Sequence, residues 1–331
     1  MNLKDKINTF PKTPGVYIMK DRNGEPIYVG KSKTLQSRIK SYFINSKSHS
    51  RKTQRMVKGI YDIDIINTDT ELDALLLECK MIKEIKPIYN KLMKNHENYL
   101  YLKINNSIKY PYLEVVNEIN DNSLYFGPYA IGKKLYDVKD IINQVYKLRG
   151  CKRMNKCIKY DLNQCLGPCR NAINEHDYQK KINEIINDLK GYSKNILINL
   201  EDLMKSEINL LNFEKASELK ENIDMINTLF NKQSIINETI YKENILAWIK
   251  INCEYYKVYF IKNGKLVDYE ILEIKQFEKL EKKEYFFNKL NLLEQKIISN
   301  KEIIDEKYDL DFIIIINSYI KHSNEIIYVV F

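Results

Sequence analysis

Six side chains in the first eighty residues are of the types that phosphodiester hydrolysis uses. Tyr17 and Tyr28 flank a turn signal, Lys31, Arg38 and Tyr42 follow closely, and Glu78 stands further on. Such a reaction needs a base to activate water, a cation for the charge developing on the phosphate, and stabilisation of the leaving oxygen. A lone carboxylate can hold one divalent metal when water and phosphate oxygens complete the shell, which suits Mg²⁺. Glu78 is the candidate for that carboxylate. A phenol is a poor base at its free value of about 10. A neighbouring cation such as Lys31, three residues from Tyr28, or a metal-bound water would have to lower it.

Local sequence indicates how these groups are positioned. Gly15 to Lys20 and Pro26 to Gly30 read as strands around Asp21-Arg22-Asn23-Gly24, where Asn-Gly supplies the positive φ angles of a tight hairpin. With Asn23 and Gly24 as the loop, Met19 faces Tyr28. Tyr17 then lies diagonal to Tyr28 on one sheet face, roughly 7–8 Å away between backbones. Leu35, Ile39 and Phe43 have helical spacing, with Arg38 and Tyr42 on the flank. A second helix fits Glu71 to Lys86, capped by Thr70 and Asp73 and ended by Lys86-Pro87. Its apolar stripe is Leu72, Leu75, Leu76, Cys79, Ile82 and Ile85, bordered by Glu78, where a carboxylate can look into a cleft. Two phenols on a sheet face are also what ordinary packing produces in a chain with 25 tyrosines. A glutamate beside an apolar stripe is usually solvated. Spacing alone leaves both readings open.

The same residues carry a family resemblance. Residues 13–91 resemble a GIY-YIG nuclease domain, with Gly15-Val16-Tyr17 and Tyr28-Val29-Gly30 standing for the name motif. Arg38, Tyr42, Glu78 and the Asn90 of Pro87-Ile88-Tyr89-Asn90 fill the later positions. More narrowly, the chain up to about residue 235 is similar to the UvrC family of bacterial nucleotide excision repair. That likeness rests on Pro14-Gly15-Val16-Tyr17, Tyr28-Val29-Gly30-Lys31, Tyr125-Phe126-Gly127-Pro128-Tyr129 and Cys165-Leu166-Gly167-Pro168-Cys169. It implies a DNA endonuclease dependent on Mg²⁺ or Mn²⁺ that cuts on the 3′ side of a lesion. Tyr28 would be the general base, and Tyr17 and Tyr42 would order water and phosphate. Arg38 with Lys31 would stabilise the phosphate, Glu78 would ligate the metal, and Asn90 would support the site. The reading from another class is a non-catalytic adaptor that binds DNA and UvrB, or a truncated fragment of the family.

Charge agrees with a polyanionic partner for this end of the chain. Residues 1–110 carry 21 Lys plus Arg against 11 Asp plus Glu, whereas the remainder carries 32 against 33. A coding bias toward lysine would not produce that asymmetry. Binding through phosphates should weaken steeply with salt.

Cys151, Cys157, Cys165 and Cys169 form a second chemical cluster, spaced C-x5-C-x7-C-x3-C. No signal peptide or long apolar span is visible, which points to a reducing, cytoplasmic setting without membrane association and disfavours disulfides. Ligand type alone fits a zinc site and an iron-sulfur cluster about equally. The family resemblance implies a four-iron four-sulfur cluster. Cys79 and Cys253, set among apolar residues, are expected to be buried thiols.

Between these clusters, Tyr101 to Ile104 and Tyr112 to Val116 alternate as strands do, and Tyr136 to Lys147 looks helical. Residues 199–235 have long helical periodicity that breaks near Asn209 to Asn212, as in an antiparallel pair. Residues 212–219 resemble the UVR motif, which implies docking on UvrB through Phe213, Ala216 and Leu219. Near the C-terminus, Ile245 to Ile251, Tyr255 to Ile261 and Lys265 to Leu272 read as strands, with an Asn263-Gly264 turn. A helix over Phe277 to Gln295 follows, then strands at Phe312 to Ile316 and Ile326 to Val330. No RNase H-like nuclease or helix-hairpin-helix segment is found before Phe331, so the expectation is a short, Cho-like form making one cut per engagement.

The fold class expected is α+β. Its parts are a nuclease domain at 13–91, a connector at 92–150, a four-cysteine segment at 151–169, a helical hairpin at 199–235 and an incomplete UvrC-like α+β module at 240–331. Hydrophobic content of 44% and charged content of 29% suit such a globular chain.

Overall fold

The computed structural model describes residues 3–44, 49–237, 243–297 and 306–331. The fold is α+β and divides into two compact units, one of residues 1–97 with 239–331 and one of residues 98–238.

The first unit begins with α1 (Leu3–Asn8), β1 (Gly15–Lys20), β2 (Pro26–Ser32), α2 (Leu35–Tyr42), α3 (Arg51–Lys58), β3 (Asp62–Asn67) and α4 (Glu71–Ile85). β1 is the central strand of an antiparallel sheet ordered β2-β1-β3. Met19 stands opposite Tyr28 as expected, but not through a two-residue Asn-Gly loop: the Asp21 amide donates to the Glu25 carbonyl, Gly24 alone of the turn residues has a positive φ, and a bulge after Met19 restores the pairing. Asp21 Oδ1 accepts the amides of Asn23 and Glu25 at 2.9 and 3.0 Å, and Gly24 takes φ +83°. Both sheet faces are covered, which is why β1 is buried almost throughout. Tyr17, Met19 and Ile27 pack with Leu35, Ile39, Tyr42 and Met56, while Val16, Ile18 and Val29 pack on Ala74 and Ile82 of α4.

The expected capping box holds α4: Thr70 Oγ1 accepts the Asp73 amide at 3.2 Å and Asp73 Oδ2 accepts the Thr70 amide at 3.1 Å. Its apolar residues serve two cores rather than one stripe. Ala74 and Ile82 face the small sheet, whereas Leu72, Leu75, Leu76 and Cys79 pack on the C-terminal module, and Ile85 is exposed.

The second unit contains β4 (Leu100–Ile104), β5 (Leu113–Val116), β6 (Leu124–Tyr129), α5 (Lys134–Tyr146), α6 (Ile158–Asp161), α7 (Glu175–Leu189), α8 (Asn195–Asn209) and α9 (Phe213–Asn237). Its sheet, ordered β5-β4-β6, and its helices share one core built on Leu102, Phe126, Ile142, Ile182 and Ile226. The helical hairpin breaks at Leu210 to Asn212, with Leu211 at φ +59°. α9 is tied back to the sheet by Gln233, whose Oε1 accepts the Gly127 amide at 3.1 Å and the Tyr129 hydroxyl at 2.5 Å.

The chain then returns to the first unit with β7 (Asn244–Lys250), β8 (Tyr255–Lys262), β9 (Lys265–Glu273), α10 (Ile274–Glu278), α11 (Lys282–Ile297), α12 (Glu306–His322) and β10 (Ile326–Val330). The strands form an antiparallel sheet ordered β10-β7-β8-β9. Phe277 and Phe286 pack on Phe260 and Leu246 from one side, and Ile316, Tyr319 and Ile320 of α12 pack on Tyr259 and Ile261 from the other.

Two sequence expectations fail here. Phe312 to Ile316 is helix, not strand. A short β-branched run reads as a buried strand, but Leu310, Ile313, Ile316 and Ile320 recur at helical spacing, and covering the sheet outweighs a weak local propensity. Cys253 is exposed, because Asn252-Cys253-Glu254 is the β7–β8 turn, in which Asn252 Oδ1 accepts the amides of Glu254 and Tyr255. Cys79 is buried as expected.

Polar contacts join α4 to the returning module. Tyr259 OH lies 2.6 Å from Thr70 Oγ1, Lys257 Nζ reaches Asp69 and Asp73 at 2.7 and 2.9 Å, and Lys83 Nζ meets Asp311 at 2.5 Å. The Lys83 side chain is fully buried. Among the described residues no helix is long and apolar enough to cross a membrane.

Candidate active site

β1, β2 and α2 bring three phenols together. Tyr17 projects from the central strand, Tyr28 from the diagonal position on β2, and Tyr42 from the last turn of α2. The ring centres are 6.1 Å apart for Tyr17 and Tyr28, 6.0 Å for Tyr17 and Tyr42, and 6.3 Å for Tyr28 and Tyr42. Tyr17 and Tyr42 share a hydrogen bond of 2.9 Å between hydroxyls. The glycine opposite Tyr17 makes this possible, since a Cβ at Gly30 would lie 2.4 Å from the Tyr17 hydroxyl oxygen. Gly15 is needed for a different reason, because a Cβ there would stand 2.3 Å from the Ile66 carbonyl on β3.

Arg38, one turn before Tyr42 on α2, carries its guanidinium 5.1 Å from the Tyr42 ring centre. Asn90 grips β2 in both directions: its Oδ1 accepts the Val29 amide at 3.0 Å and its Nδ2 donates to the Val29 carbonyl at 2.8 Å. That fixes the strand beside Tyr28. Glu78 projects from α4 toward the end of β2, where its Oε1 accepts the Lys31 amide at 3.1 Å. The Tyr28, Arg38 and Tyr42 side chains line a cavity of about 340 Å³ together with His49, Lys52 and Tyr89.

Electrostatics sharpen the assignments. Burial, then the neighbouring phenols Tyr42 and Tyr28, push Tyr17 far above its ordinary value. Tyr28 is also raised, by burial first, then Tyr42 and Glu78, and Arg38 opposes the rise. Burial raises Glu78, opposed by the Lys31 amide, the Lys31 charge and Arg38. The cation acting on Tyr28 is therefore Arg38. The Lys31 ammonium, from which that effect was expected, is 2.6 Å from Glu71 Oε1 instead. Glu71 also binds Lys33 at 2.8 Å, and its own carboxyl is held below the ordinary range, the lysine hydrogen bonds outweighing burial. Glu71 escaped sequence reasoning because only folding brings the first turn of α4 to the end of β2. Lys52 and His49 escaped it for the same reason, while Tyr89 sits in the Pro87 to Asn90 motif already noted.

The four clustered cysteines lie in the second unit and are all free thiols. Burial raises the Cys165 thiol, which the amide of Gly167 at 3.5 Å opposes, and Cys151, Cys157 and Cys169 each add to the rise. Each of the other three thus acts on Cys165, but among the described residues no three of His, Cys, Asp or Glu stand close enough to hold a metal. On the helical hairpin, Phe213 is exposed, Ala216 is buried, and Leu219 is packed partly into the unit's core.

The arrangement at the β1–β2 hairpin defines a GIY-YIG nuclease domain, and residues 13–91 match the UvrC-like GIY-YIG domain. Residues 99–188 match the middle domain of UvrC/Cho excinucleases. The chain belongs to the UvrC family. It is 35% identical over 288 residues to the UvrABC system protein C of Alkaliphilus oremlandii, covering 84% of this chain and 46% of that protein. It is 36% identical over 290 residues to that of Caldicellulosiruptor saccharolyticus, covering 85% and 49%. The chain thus spans about half the length of these curated relatives. A solved structure of the GIY-YIG N-terminal endonuclease domain of UvrC from Thermotoga maritima, bound to magnesium, is 36% identical. It covers 27% of this chain and 96% of that domain, with a TM-score of 0.25.

Proposed function

We propose that this protein is a metal-dependent DNA endonuclease of nucleotide excision repair, hydrolysing a phosphodiester on the 3′ side of a lesion in concert with UvrB. The observation that carries the reading is that Tyr28, Tyr42 and Arg38 line one cavity, with Tyr17 packed behind them against both phenols and the half-buried Glu78 carboxylate close enough to act on Tyr28. A packed sheet face has no need of the guanidinium and the carboxylate.

Glu78 would hold one divalent cation such as Mg²⁺, and its donor chemistry fits, since a lone carboxylate suits an ion that retains most of its other oxygen ligands. When bound, the cation supplies charge neutralisation to the phosphate and the leaving oxygen. Tyr28 takes the proton from the attacking water. Its phenol is made more basic by burial, so it is a strong acceptor once deprotonated, and Arg38 is the protein's own charge favouring that form. The hydrogen bond from the buried Tyr17 hydroxyl holds Tyr42, which lines the cavity, in place. Asn90 holds the Tyr28 strand in place, and Arg38 faces the charge that builds on the phosphate. Lys31 joins it on leaving Glu71, which retains Lys33 as a partner.

Cys151, Cys157, Cys165 and Cys169 would hold a four-iron four-sulfur cluster, an assignment that rests on four free thiols within nineteen residues of sequence and on the family resemblance. Phe213, Ala216 and Leu219 would form the UvrB dock, with Phe213 as the exposed anchor. The compartment this implies is the reducing cytoplasm.

The test is incision of a lesion-bearing duplex, labelled at both ends, with Mg²⁺ and UvrB. A 3′-side cut that disappears in Tyr28→Phe and Glu78→Ala and survives in Lys180→Gln, outside the helical hairpin, is the expected result. DNA left intact under all conditions would favour the adaptor. Anaerobic protein should contain iron and sulfide; colourless, zinc-loaded protein would overturn the cluster.

A further inference from the structure

The lysines of the nuclease domain near the site fall into two groups that differ in how their charge is met. On the α4 side, Lys31 and Lys33 are both bound by Glu71, and Lys33 also reaches Glu325 at 3.1 Å. Lys52, from the first turn of α3, lines the cavity and donates to the Tyr89 carbonyl at 2.6 Å. Lys94 donates to the Pro87 carbonyl at 2.9 Å. Both ammonium groups are thereby tethered to the short loop that carries Asn90 and leads into Lys91. Loss of part of its hydration, then the charges of Lys91 and Lys94, push the Lys52 ammonium below its ordinary value. Among the described residues none of the three lysines pairs with a carboxylate.

Like charges gathered without a counterion disfavour the fold by mutual repulsion. Carbonyl tethers orient the ammonium groups without cancelling their charge. A polyanion laid across them would meet the charge, and the cavity they border holds the groups assigned above to a phosphodiester.

We propose that Lys52, Lys91 and Lys94 form a seat for backbone phosphates adjacent to the scissile one. The DNA strand then runs from the cavity over the Pro87 to Lys94 segment. This deepens the nuclease reading and rests on it for the identity of the ligand.

The test is equilibrium binding of the full chain to a fluorescein-labelled DNA duplex between 50 and 200 mM KCl. Each phosphate contact contributes about 0.9 to the slope of log affinity against log salt. The triple variant Lys52→Gln, Lys91→Gln, Lys94→Gln should lose about 2.7 of that slope, so that over this fourfold range the wild-type affinity falls about 40-fold more than the variant's. Incision at subsaturating DNA should fall by the same factor as affinity. Lys180→Gln, Lys205→Gln, Lys220→Gln, at residues ion-paired within their own helices, is the charge-matched control and should keep the wild-type slope. An unchanged slope in the first triple variant, or an equal loss in the control, would overturn the seat. Protein that binds with the expected slopes and never cuts would instead sink the nuclease reading and leave the seat standing.

Discussion

Gly30→Ala puts the geometric argument at its most exposed. The added Cβ would lie 2.4 Å from the Tyr17 hydroxyl oxygen and 2.5 Å from the ring carbon that bears it, against an ordinary contact of at least 3.4 Å. Tyr17 or β2 must yield by about 1 Å. Tyr17 is 1% exposed and packed between Tyr28 and Tyr42, so no open space receives it. Overpacking of this kind costs about 1–3 kcal/mol. The same 1 Å would stretch the 2.9 Å Tyr17–Tyr42 bond beyond hydrogen-bond range. Misplacement on that scale at a catalytic group lowers the rate about 10²-fold. Single-turnover incision and urea unfolding of the same preparation measure the two effects. A double-mutant cycle with Tyr17→Ala isolates the clash: with the ring gone, the alanine should cost almost nothing. A Gly30→Ala protein that cuts within threefold of wild type, or a cycle that is additive, would refute the reasoning.

Two further outcomes follow from the electrostatics. Tyr28 is raised above 10, so only a small fraction is deprotonated near neutrality, and that fraction grows about tenfold per pH unit. The single-turnover rate should therefore climb with a logarithmic slope near one from about pH 6.5 to 9, and Arg38→Gln should displace the curve to higher pH. A flat profile would remove Tyr28 as the base. Replacing Lys83 by Met leaves the Asp311 carboxylate buried without its 2.5 Å ammonium partner, a change that typically costs about 3–5 kcal/mol. Chemical unfolding should register that loss and a substantial recovery in Lys83→Met with Asp311→Leu. A single variant as stable as wild type would show that the pair contributes nothing.

The legible parts of the sequence were those governed by neighbouring residues. Gly24 closes the hairpin that, with a bulge after Met19 that the sequence did not announce, puts Tyr17 diagonal to Tyr28, and Thr70 with Asp73 starts α4, because turn and cap chemistry act within a few residues. Tyr42 and Arg38 followed from helical spacing on α2. The apolar run at Phe312 to Ile316 misled because strand and helix interiors share such runs, and only the sheet beneath α12 chooses between them.

Tertiary structure decided what no local rule reaches. It split the apolar residues of α4 between two cores, making that helix a partner of both the small sheet and the C-terminal module. It placed the Lys31 ammonium on Glu71, forty residues away in sequence, and left Arg38 as the cation acting on Tyr28. It also gathered Lys52 and Lys94 on the Asn90 loop. By itself, then, the sequence determined which chemical groups the protein carries and which short elements present them. Which charge meets which partner depends on distances between distant segments, and Coulomb energy falls off over a few ångströms that only the folded chain sets.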